Sequence, residues 1–234
     1  MSLNLFSTFY PVAGILLIPI LYFTLYNIET CRHFIYSHFV LLWNVWFFYL
    51  FILSEIFFFI GVFWAVFWNV FAFDSFMLFV SIYHPVNPFG LALANTCILL
   101  FSSSLCNLWH LEIVLYNVFG FLNEVSFRQF NLLCAIGLGA TFLFFQYLEM
   151  YWANFSISQF SFASCFYFAT GFHGSHVILG MFLLTVMLVF YYDFHSWVIH
   201  SNLFADCVIL YWHFVDVIWL GLYLFLYVLP HFIQ

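Results

Sequence analysis

Glu55 stands in the run FILSEIFFFIGVFWAVFW with no basic residue near it in sequence. A carboxylate in so apolar a segment must either take up a proton or meet a polar partner. It could serve a proton-linked site or a lipid headgroup contact, or it could be a neutral acid hydrogen-bonded across helices. All three readings stay open. His173 and His176 lie three apart in ATGFHGSHVILG, and His213 and Asp216 three apart in YWHFVDVIWLGLY. Residues at that spacing share one helix face. The first pair could present two imidazoles to a metal. The second could join imidazole to carboxyl within one helix or reach across to another. Glu149, near the end of its segment in FFQYLEMYW, reads as a solvated or capping acid, or as a buried polar structural residue. Asp206, near the start of the last segment, reads as a carboxylate complementing a helix dipole.

A metal on His173 and His176 would need further ligands, with His110, His213 or Glu55 the candidates from other helices. Haem held by two imidazoles would want histidines on facing helices. Lacking such partners, the histidines are expected to be hydrogen-bonded packing residues, with no metal and no catalytic group on this chain. The six cysteines form no CxxC or CxxxC pair, which argues against a disulfide framework and a thiolate copper centre. No phosphate-binding glycine loop, nucleophile elbow or HExxH pattern is present.

The elements that must position these residues are membrane helices. Of the 234 residues 68% are hydrophobic and 5% charged, too few charges to cover a water-soluble surface. Arg32 and Arg128 are the only strongly basic residues, so nucleic acid is excluded as a partner. A helix needs about 20 apolar residues to cross a hydrocarbon core of about 30 Å. Six segments qualify: 9–26, 38–73, 91–114, 130–151, 160–190 and 203–227. The second and fifth exceed one span and must tilt or project. The expected fold is all-α, a polytopic bundle of six transmembrane helices in one domain, with no internal repeat. Ala135 with Gly139, and Gly171 with Ser175, form small-xxx-small pairs that predict close helix packing. Two spans separate Arg32 from Arg128, which puts both, with His33, His195 and His200, on one side. The positive-inside rule makes that the matrix-like side and puts both termini opposite. The first residues, MSLNLFSTFYPVAG, carry no presequence signal, as suits synthesis inside an organelle.

Five blocks, in order, resemble one family: LSEIFFFIGVFWAVFW, HPVNPFGLALANTCILL, FQYLEMYWANFSIS, FATGFHGSHVILG and YWHFVDVIWLGLYLFLY. From about Tyr26 onward the chain is similar to subunit III of cytochrome c oxidase, mitochondrial type. The resemblance implies a subunit that carries no haem or copper, those groups (haem a and copper) residing in partner subunits. It implies packing beside catalytic subunit I, phospholipids held in a V-shaped cleft, and support of proton uptake, oxygen access and turnover stability. By resemblance Glu55 matches a buried carboxylate lining the cleft, Trp64 a nearby aromatic, and Glu29 an acid ending the preceding helix. His173, His176, His213 and Asp216 match polar interior positions.

Two features depart from the family pattern. The family has seven helices, two plus five, and its first has no counterpart here, so the fold is trimmed or another polypeptide fills that place. Ile28 and Tyr36 stand where the family has a basic residue and a histidine, though Arg32, His33 and His38 lie close by. The expected function is therefore that of a core, non-redox, lipid-binding subunit of the oxidase in the mitochondrial inner membrane. Its expected partners are subunits I and II, accessory subunits and phospholipids. A proton-coupled transporter using Glu55, Glu149 and Asp216 is one rival, although the chain offers few polar residues to line a path. A b-type haem electron carrier is the other.

Overall fold

The computed structural model describes residues 38–71, 86–119, 125–193 and 201–233. Their helices are α1 (His38–Phe71), α2 (Leu93–Phe119), α3 (Val125–Trp152), α4 (Ser161–Asp193), α5 (Ser201–Leu222) and α6 (Leu229–Ile233). A π-helical turn, Pro88–Ala92, leads into α2, and a second, Tyr223–Val228, joins α5 to α6. No strand occurs among the described residues. Hydrocarbon offers the backbone no water to bond, so each apolar segment satisfies its own N–H and C=O groups by coiling into a helix. Five helical stretches are long and apolar enough to cross a membrane, which makes this an all-helical multi-pass chain. The expected span 9–26 lies outside the described residues, as do Glu29, Arg32 and His33. Helix α1 runs for 34 residues, a length of about 50 Å that a bilayer core of about 30 Å accommodates only by tilt or projection.

Helices α2 to α5 run alternately up and down, and α1 lies against α4 and α5. Cross-helix bonds fix the register. Trp212 Nε1 donates to Ser102 Oγ at 3.1 Å, His110 Nε2 donates to Asp206 at 2.6 Å, and Gln146 Nε2 donates to the Thr170 carbonyl at 2.9 Å. The α3–α4 connection is held by Tyr167, whose hydroxyl donates to the Phe155 carbonyl at 2.8 Å. At the other connection Asn87 accepts from Phe89 N at 3.0 Å, and Pro88 takes a first-turn position that needs no N–H donor.

Of the two expected small-residue pairs, one packs and one does not. Ala135 is fully buried, and a Cβ on Gly139 would stand 3.0 Å from Met181 and from the Trp212 ring. Gly171 and Ser175 instead lie exposed, on a face of α4 that no described helix covers. Spacing alone does not say which side of a helix faces inward. The closest approaches fall elsewhere. A Cβ on Gly180 would come within 2.7 Å of the Trp212 ring, and one on Gly221 within 2.8 Å of Phe63. Gly221→Val should therefore push α5 away from α1 and destabilise the protein by about 1–3 kcal/mol. A thermal midpoint in detergent equal to that of the parent would contradict this contact.

Candidate functional site

Three helices bring Glu55, His176 and Tyr211 into one line. His176 Nδ1 lies 2.7 Å from the Tyr211 hydroxyl, and its Nε2 lies 3.4 Å from Glu55 Oε2. A neutral imidazole has one donor and one acceptor nitrogen. The consistent assignment has Tyr211 O–H donating to Nδ1 and Nε2–H directed at the Glu55 carboxylate. The 3.4 Å separation is longer than a well-formed hydrogen bond. Phe59, Phe172 and Phe214 surround the imidazole at ring distances of 5.4, 4.8 and 6.2 Å. These walls exclude water, which raises the strength of polar interactions within the line. The Glu55 side chain keeps 22% of its surface accessible, so the line is open at the α1 end and closed at the Tyr211 end. The arrangement can hold a proton on either end group and connect α1 to the bundle.

His213 and Asp216 do not pair within α5. His213 turns to α2, its Nε2–H donating to Asn107 Oδ1 at 2.8 Å and its Nδ1 meeting the Ser103 hydroxyl. Asp216 is 5% exposed, and neither carboxyl oxygen makes a hydrogen bond of good geometry. Ser103 is the hydroxyl beside it, and with a neutral His213 that O–H is spent on the imidazole. Asp206 is not an end-of-helix acid either, for it lies beyond the first turn of α5 and pairs with His110. Glu149 is not solvated. It is 6% exposed and accepts from the Tyr227 hydroxyl at 3.1 Å. The π-helical stretch after α5 supplies that hydroxyl, because its wider turn carries Leu226 and Tyr227 onto the buried side. Tyr227→Phe leaves the acid without its donor, and a loss of about 1–3 kcal/mol is expected. Glu149→Gln, which keeps an acceptor, should lose less. Equal thermal midpoints for Tyr227→Phe and the parent would sink the assignment.

His173 and His176 share a face of α4 but serve different partners. His173 is fully buried, donates from Nε2 to the Val215 carbonyl at 3.2 Å, and stands 5.2 Å from the Trp219 ring. Among the described residues no third metal-ligating side chain joins either imidazole. Glu55, Glu149 and Asp216 each keep separate surroundings, so the three carboxyl groups form no single site. Trp64 is 69% exposed on the outer face of α1, and His38 opens that helix. Tyr211, Tyr227, Gln146 and Ser103 were not singled out from sequence. Tyr211 and Gln146 were the readable ones, since each stands within three residues of a polar group already marked in YWHFVD and QYLE.

A profile of the family "Cytochrome c oxidase subunit III" matches residues 4–230. The chain belongs to the cytochrome c oxidase subunit III family. Among curated relatives, cytochrome c oxidase subunit 3 of Pyricularia grisea is 41% identical over 143 residues, 61% of this chain and 50% of that protein. The Emericella nidulans protein of the same name is 42% identical over 142 residues, 61% and 50% of the two chains. That of Rhipicephalus sanguineus is 40% identical over 147 residues, 62% and 53%. The matched part of this chain thus spans about half the length of these relatives. Membership of that family is what these comparisons show. It accords with the ordered blocks, all five of which carry residues of the polar interior: Glu55, Asn95, Glu149, His173 with His176, and His213 with Asp216.

Proposed function

We propose that this chain serves as the non-redox membrane subunit of a mitochondrial cytochrome c oxidase, in the inner membrane. In this reading it packs on catalytic subunit I beside subunit II, which between them carry haem a and copper. It binds structural phospholipids and sustains proton uptake, oxygen access and turnover stability while oxygen is reduced. The observation that carries the reading is the family match across nearly the whole chain. The outer face of α1 supports it further: Trp46, Phe57, Trp64 and Trp68 are all more than half exposed, an aromatic surface suited to acyl chains or a neighbouring subunit. We assign headgroup contacts to Glu29, Arg32, His33 and His38, which cluster in sequence up to the first residue of α1, and a proton-linked role to Glu55. Helix directions put the start of α1 at the same end of the bundle as Arg128, at the start of α3. We assign that end to the matrix side by the positive-inside rule, and both termini to the intermembrane space.

The test is purification of the tagged chain in mild detergent, followed by a reduced-minus-oxidised spectrum, peptide identification and lipid extraction. Haem a-type bands with subunits I and II at equal stoichiometry, and retained phospholipid, are expected. A colourless preparation lacking those subunits would overturn the assignment.

A further inference from the structure

The interior is more polar than the sequence reading allowed, and its polar groups are not scattered. Asn95 on α2, Gln146 on α3, His173 on α4, and Asp216 and Trp219 on α5 are each at least nine-tenths buried. Both amide atoms of Asn95, Gln146 Oε1, His173 Nδ1, Trp219 Nε1 and both Asp216 oxygens have no hydrogen-bond partner of good geometry. Buried polar atoms in proteins are nearly always bonded, to protein or to ordered water.

The cross-helix bonds put these atoms at one depth. Helices α2 and α5 are antiparallel, with Ser102 against Trp212, and Asn95 lies two turns from Ser102 on the same face. That register sets Asn95 level with Trp219. His173 bonds Val215 and its ring lies against Trp219, with the Phe142 ring edge-on to both. Gln146 reaches Thr170, one turn before His173 on the same helix face. The five side chains therefore fall within about two turns of α5, roughly 10 Å of depth.

A pocket lies about one helical turn from this polar band. A cavity of 270 Å³ at the α3–α4 loop end is lined by Asn87, Gly90, Leu91, Glu149, Trp152 and Phe155, among others. Its wall residue Leu91 lies one turn before Asn95, and its wall residue Glu149 one turn after Gln146. At about 30 Å³ per molecule, that volume holds several waters.

We propose that the α2–α5 core binds a cluster of water molecules, entered through the pocket beside Glu149 and reaching past Asn95 and Gln146 to Trp219 and Asp216. Water is the ligand that fits, because the unpaired atoms include donors and acceptors in one confined band and a bridging water supplies both. The inference does not depend on the oxidase assignment.

The test is X-ray radiolytic labelling of the chain in its native complex, where hydroxyl radicals form from bound as well as bulk water. Trp219 is 1% exposed and Met187 fully buried, and both side chains are reactive. Oxidation of Trp219 with Met187 unlabelled is expected. Trp219 unlabelled, or both labelled alike, would overturn the proposal. Leu91→Trp should fill the pocket and lower Trp219 labelling to the Met187 level; undiminished labelling would overturn the access route.

Discussion

Replacement of Trp212 by alanine lowers the stability of the bundle by on the order of 3 kcal/mol. Trp212 is fully buried and touches every helix of the α2–α5 core. It lies on α5, donates to Ser102 on α2, and seats its ring against Gly139 of α3 and Gly180 of α4. Lipid is as apolar as the core, so the loss is not chiefly one of hydrophobic transfer. It is the loss of close contacts, which in a membrane hold helices together. Alanine would leave a void bordered by two glycines that have no side chains to fill it. Trp212→Phe keeps part of the ring and forfeits the Ser102 bond, at about 1 kcal/mol for the bond itself. The thermal midpoint and the yield of assembled protein report both variants. An alanine variant as stable as the parent would show that the helices close over the gap and that Trp212 is not the central contact.

On the proposed function, an oxidase carrying Glu55→Gln should keep its haem spectrum and initial rate but lose activity several-fold sooner under sustained turnover. Glutamine presents an oxygen to His176 Nε2–H, so the link between α1 and α4 survives while the exchangeable proton and the charge do not. His176→Phe removes the Tyr211 bond and the Glu55 contact and should shorten the active lifetime at least as much, with some loss of stability. Tyr211→Phe leaves the Glu55 contact in place and should act more weakly. The measurement is the inactivation rate during continuous oxygen reduction, together with the phospholipid content of each preparation. A Glu55→Gln enzyme with unchanged lifetime and lipid content would remove Glu55 from any functional role.

Family, helical class and membrane location were legible in the chain because each depends on composition or on contiguous residues. Runs of Phe, Leu, Ile and Val long enough to span a bilayer leave the backbone no alternative to a helix. Ordered blocks such as FATGFHGSHVILG keep their meaning without any knowledge of neighbours. The polar residues were also found by type, since an ionisable group in an apolar run is conspicuous wherever it lies.

Their partners were not legible, for a geometric reason. Spacing along a helix sets which residues share a face, but it does not set the direction of that face or what lies opposite. His213 and Asp216 share a face and yet do not pair: His213 turns to Asn107 and Ser103, and Asp216 is left without a well-formed hydrogen bond. Gly171 and Ser175 satisfy a packing pattern and lie exposed, while Gly180 and Gly221, in no such pattern, take the tightest contacts. Glu149 looked like an interfacial acid until a π-helical turn carried Tyr227 onto it. By itself the sequence determined that this is a membrane-helical member of the subunit III family with ionisable groups inside it. Only the tertiary structure decided that His176 stands between Glu55 and Tyr211, and that Asn95, Gln146, His173, Asp216 and Trp219 gather in one band. Each of those contacts joins residues far apart in the chain, and their positions depend on the rotation and register of helices that local sequence leaves free.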